Sequence, residues 1–251
     1  MRLGVLLGFL SPEADSSDLA EQAKCYAGEG FDSLWMAQAI GRGFMIPDPF
    51  IALAAAATAT QDVELGTAIL QLPLYQPTDL AHRIFSLMQI CGKRLTLGIG
   101  AGSTEIDFLA FERDYARRFK AFNSTLSTLR TLLADGKNET GDLTPWKTTA
   151  GGPPLLLGSW GSGVEWAAKN FDGWIASAHY RTADQAVEAL RKYRAAGGKR
   201  AIVSTIRLTP EHDLGQAKDI LNRFAEAGFD DAVVLLHPGG PGPHDVRALI
   251  D

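Results

Sequence analysis

Eight short, nearly continuous apolar runs alternate with stretches of helical periodicity along the 251 residues. The runs are Leu3 to Phe9, Ser33 to Ala37, Val63 to Leu70, Arg94 to Gly100, Pro154 to Ser159, Gly173 to Ala178, Arg200 to Leu208 and Asp231 to His237. Between them, apolar residues recur at three- and four-residue spacing over Asp18 to Glu29, Pro49 to Thr60, Thr78 to Cys91, Phe108 to Ala134, Val164 to Lys169, Ala183 to Ala196, Leu214 to Ala227 and Pro243 to Ile250. Strands that are apolar throughout must be covered on both faces, which parallel sheets with crossover helices achieve. Eight such units close a (β/α)8 TIM barrel. An open doubly wound sheet is the competing fold, but the G-x-G-x-x-G fingerprint after its first strand is absent. We therefore expect one α/β barrel domain over 1–251, with a longer polar loop, small hairpin or lid at about 135–153.

In a barrel the chemistry lies at the carboxyl ends of the strands. Two glycine clusters fall there. "RLTLGIGAGS" places Gly98, Gly100 and Gly102 at the end of the fourth run, where a missing Cβ admits another backbone or a ligand. "LLLGSWGSGVEW" places Gly158, Ser159, Gly161, Ser162 and Gly163 before a short helix. Amides at a helix N-terminus beside serine hydroxyls form an anion site suited to phosphate. The plainer reading is an N-cap at Ser162 with glycines that only turn the chain.

Several function classes lose support. With 24 basic and 29 acidic residues there is no one-sided basic patch for nucleic acid, and the cluster "RDYARRFK" reads as a solvated, salt-bridged helix face. Two distant cysteines, Cys25 and Cys91, indicate neither a disulfide framework nor a metal site, so a reducing cytoplasm is expected. The N-terminal run lacks a small-x-small cleavage site and reads as a buried strand rather than a signal peptide. No apolar stretch has the ~20 residues of a membrane span. G-x-S-x-G and H-E-x-x-H are absent. Of five histidines, His179 and His237 each follow a strand and could titrate against a ligand.

The segments "FDSLWMAQAIG", "VELGTAILQLPLYQPTDLAHRIFSLMQICGKRLTLGIGAGS", "DYARRFKAF" and "PPLLLGSWGSGVEWAAKNFDGWIAS" resemble, in order and spacing, the bacterial luciferase-like monooxygenase superfamily, and within it most closely the deazaflavin-using branch. The resemblance implies a flavin-binding TIM barrel. Reduced FMN or a reduced deazaflavin (coenzyme F-420) would lie across the mouth, serving hydride transfer or, with FMN, oxygen activation on a small organic substrate. It further implies a cis peptide at Ala68 and Ile69 against the ring, Gly100, Gly102 and Ser103 along the ring or its side chain, and Gly158 to Gly163 with Ser177 on the phosphate. A homodimer and, for FMN, a separate NAD(P)H:flavin reductase are the partners it implies.

The chain departs from that pattern in ways that bear on proton transfer. After the second run it offers Gln38 where many members have a histidine or acid, and it has Ala101 and Ser103 where others carry arginine or glutamate. His179 becomes the first candidate proton carrier, with His237 and Tyr180 as alternatives. Two other functions stay open: a non-catalytic flavin-binding barrel, and a phosphosugar lyase or isomerase on the same fold. The latter calls for a strand lysine, and none of the eight runs contains one.

Overall fold

The computed structural model describes residues 1–8, 18–139, 141–179 and 181–250. Phe9 and Tyr180, both named above, lie outside them. Eight parallel strands close a barrel: β1 (Arg2–Leu6), β2 (Ser33–Met36), β3 (Glu64–Gln71), β4 (Leu95–Gly100), β7 (Leu155–Gly158), β8 (Gly173–Ser177), β9 (Arg200–Leu208) and β10 (Asp231–Leu236). They pair in the order β1-β10-β9-β8-β7-β4-β3-β2. The expected loop at 135–153 carries a small antiparallel hairpin of β5 (Lys137–Asn138) and β6 (Gly141–Asp142).

The outer ring is α1 (Asp18–Gly28), α2 (Pro49–Ala59), α3 (Pro77–Cys91), α4 (Glu105–Ala110), α5 (Arg118–Asp135), α6 (Gly163–Asn170), α7 (Ala183–Ala195), α8 (Leu214–Ala227) and α9 (Pro243–Arg247). Local chemistry sets several helix starts. Asp48 caps α2 ahead of a proline, and reciprocal capping boxes open α7 (Thr182, Gln185) and α8 (Asp213, Gln216). The single helix expected over Phe108 to Ala134 is two. A turn between them includes Glu112 at φ 53, and Tyr115 and Phe108 pack edge to face beneath it.

Side chains alternate between two cores. Trp174, Ala176, Val203, Val234 and Leu236 face the helices. Leu6, Trp35, Leu156, Ile175, Ile202, Val233 and Leu235 fill the barrel axis. At the amino-terminal end an ionic plug closes the barrel. Arg200 bridges Glu64 (2.8 Å) and Asp231 (2.9 Å), and Arg2 reaches the same two carboxylates at 2.7 and 3.2 Å. Among the described residues, no helix is long and apolar enough to cross a membrane.

Candidate active site

A cavity of about 1520 Å³ opens at the carboxyl ends of the strands. Small residues make one wall, with Ala37 after β2, Ala68 in β3, Ala101 and Gly102 after β4, and Gly158 in β7. The Ala68–Ile69 peptide is cis, where the resemblance places one, and the β3–β4 register shifts between Thr67 and Leu70. Both residues line the cavity.

The three glycines in and just after β4 have a reason the sequence did not show. A Cβ on Gly98 would meet the Thr67 carbonyl oxygen at 2.1 Å, one on Gly100 the Ile69 Cδ1 at 2.2 Å, and one on Gly102 the Gln71 Oε1 at 2.4 Å. Each glycine thus receives every second residue of the bulged neighbouring strand. Gly102 and Ser103 line the cavity, but Gly100 is buried beneath Ile69 and does not. For Gly98 and Gly100 the close neighbour is β3 rather than a ligand.

The second glycine cluster forms the rim between β7 and α6. Ser159, Ser162, Gly163 and Ser177 all line the cavity, while Gly161, at φ 62, faces a separate groove between α6 and α7. Ser162 sits at the N-cap position in helical conformation and makes no capping hydrogen bond, so the simple N-cap reading fails. The Ser159 hydroxyl is buried without a partner. A Cβ on Gly163 would lie 2.8 Å from the Ser159 Cβ, filling the cradle. The Trp174 indole N–H donates to the Ser159 carbonyl at 2.9 Å and fixes the loop from below. These groups fit a phosphate.

The proton-carrier candidates separate. His179 lines the cavity and is exposed; burial, then the charges of Arg207 and Arg42, lower its pKa below the usual imidazole value. His237 does not line the cavity and accepts a hydrogen bond from Arg207 Nε at 3.3 Å. Gln38 lines the cavity, with its Nε2 donating to the Tyr75 hydroxyl and its Oε1 accepting from the Gln71 amide, both at 2.8 Å. Beside it Asp107, fully buried, accepts from Arg42 Nε at 2.7 Å and from Gln71 Nε2 at 2.6 Å. Burial would raise the Asp107 pKa, but Arg42 and Gln71 outweigh it and hold the group below the usual carboxylate range.

Other lining residues escaped sequence reasoning. Arg118 is not on a solvated face: its guanidinium stacks on Tyr115 at 3.9 Å, its Nε is buried without a partner, and it lines the cavity. The motif "DYARRFKAF" carried that signal, but its charge pattern resembled a surface helix. Arg130 and Arg181 line the cavity as well, and no carboxylate does among the described residues. The bulge in β9 was also invisible. The β9–β10 register slips between Ala232 and Val234, and Thr205 projects into the cavity at φ 60.

A closed (β/α)8 barrel with a large cavity at the carboxyl ends of its strands, lined by polar and cationic groups, has the architecture of a barrel enzyme. The luciferase-like monooxygenase profile matches residues 1–224, and the chain belongs to that family of enzymes. An uncharacterized Mycobacterium tuberculosis protein is 26% identical over 196 residues, spanning 74% of this chain and 68% of the relative. Two solved structures share the fold. An F420-dependent secondary alcohol dehydrogenase bound to an F420-acetone adduct aligns with TM-score 0.78 at 16% identity, covering 99% of this chain and 96% of the other. The oxygenating constituent of Pseudomonas putida 3,6-diketocamphane monooxygenase, in complex with FMN, aligns with TM-score 0.69 at 19% identity, covering 90% and 74%.

Proposed function

We propose that this chain is an oxidoreductase that uses a deazaflavin coenzyme to exchange hydride with a small organic substrate. The observation that carries the reading is the joining, in one cavity, of a small-residue wall at Ala37, Ala68 and Gly158 to the phosphate cradle of Ser159, Ser162 and Gly163. Ala68, Ile69, Gly102 and Ser103 would hold the ring and its side chain, and Ser177 would join the cradle. When bound, the coenzyme supplies a hydride donor or acceptor. Arg118, Arg130 and Arg181 have no carboxylate partner among the described residues, which favours the coenzyme whose side chain carries carboxylates beyond its phosphate. The bound FMN of one solved structure favours the second reading, an FMN monooxygenase with a separate reductase.

The chain's own residues divide the work. Gln38 and Tyr75 brace the end of β3, and the Arg42–Asp107 pair anchors the loop after β2 to α4 and to Gln71. His179 is neutral at pH 7, given its lowered pKa, and so accepts a proton. The absence of lysine from the described cavity lining weighs against the lyase reading.

Titrating oxidised FMN and coenzyme F-420 into the purified protein tests this. A tenfold preference for F-420, about 1.4 kcal/mol, is expected. Gly163→Val should weaken binding by roughly tenfold. A protein that binds neither compound refutes the reading; one that binds but exchanges no hydride is a non-catalytic flavin barrel.

A further inference from the structure

The half of the mouth facing the small-residue wall is built differently. On β8, Ile175 points to the axis and Ala176 to the helices; on β10, Leu235 points to the axis and Leu236 outward. Beyond the β9 bulge, Ile206 and Leu208 pack outward. Ser177 and His179 line the cavity, the period of two puts Arg207 on the axis side of β9, and His237 directly follows β10, so that Arg207 and His237 stand beside the cavity lining at adjacent strand ends. The Arg207–His237 hydrogen bond and the effect of the Arg207 charge on His179 place the three groups together. Arg42 is neutralised by Asp107, but Arg207 has no carboxylate within ion-pair distance among the described residues. This cationic rim belongs to a chain of net charge −5.

We propose that Arg207, flanked by His179 and His237, recognises an anionic group on the substrate, a carboxylate or a phosphate monoester, at the rim formed by β8, β9 and β10. This rests on the coenzyme reading only in calling that ligand the substrate. The guanidinium offers a planar fork that matches either anion, and the two imidazoles add neutral donors beside it. The anion's body would then extend over the cavity toward the opposite wall. Burial and the Arg207 charge lower the pKa of His237 too, so both rings are uncharged at pH 7 and the arginine carries the recognition.

The test uses phenyl phosphate, benzoate and, as neutral control, benzyl alcohol, titrated calorimetrically into the full chain with and without saturating coenzyme F-420. Wild type should bind both anions and not the alcohol, in either state. Arg207→Gln should weaken the anions by roughly tenfold or more, and Arg207→Lys should recover much of the phenyl phosphate affinity. F-420 affinity should be unchanged in both variants. Arg207 is exposed, so the substitutions leave the core intact, and circular dichroism checks this. Undiminished anion binding by Arg207→Gln, equal binding of the alcohol, or no anion binding by wild type overturns the proposal. A failed coenzyme reading shows separately, as absence of F-420 and FMN binding to wild type.

Discussion

At the scale of single residues, burial first, and then the charges of Arg207 and Arg42, lower the pKa of His179. A base must be deprotonated, so turnover should fall as pH drops through the His179 pKa, which lies below 6.5. Arg207→Gln removes one depressing charge and should move that limb upward toward 6.5, read from the pH dependence of kcat. His179→Ala should lower turnover by about 10² to 10⁴ with coenzyme affinity nearly unchanged; an unaltered rate would leave the proton to His237 or solvent. The buried Asp107 makes a different prediction. Arg42→Leu strands its carboxylate, which should cost about 3–5 kcal/mol in denaturant unfolding, whereas loss of a surface pair would cost under about 1.

At the scale of elements, the β3–β4 pair separates what could be read from the sequence from what could not. The eight apolar runs became the eight barrel strands because burial on both faces leaves its mark in the run itself. Gly98, Gly100 and Gly102 were visible as an anomaly, but their neighbours stand 31 positions earlier, on a strand whose bulge has no compositional signal. The Gly158 to Gly163 loop was legible as a candidate anion site because its amides and hydroxyls are consecutive. Arg118 was not, since a cavity arginine and a surface arginine look alike without the turn that tucks Tyr115 beneath it. The glycine series predicts graded costs. Gly98→Ala sets a methyl against a backbone carbonyl that cannot move away, and Gly100→Ala against the tip of Ile69, which can. Both should lower the urea midpoint, Gly98→Ala by the larger share of the usual 1–3 kcal/mol for overpacking.

At the scale of the whole molecule, the two ends of the barrel do different things. The amino-terminal plug holds Glu64 and Asp231 away from water with Arg200 and Arg2. Burial would raise the Glu64 pKa, but Arg200 more than reverses this, so the folded value lies below 4.5. Its stabilisation is therefore present above about pH 4.5 and lost as pH falls through the folded value. Arg200→Leu should cost about 3–5 kcal/mol in thermal or denaturant unfolding and leave F-420 affinity unchanged, because the plug lies at the far end of the axis. The mouth itself is split between two arcs. Every glycine in the β3–β4 arc is matched to a particular neighbour, so its positions can change only in concert. At the ends of β9 and β10 the close fit is one of backbone, Gly240 against the Leu208 and His237 carbonyls, so a library randomising the side chains at 179, 207 and 237 can explore new chemistries while leaving the opposite arc as it is.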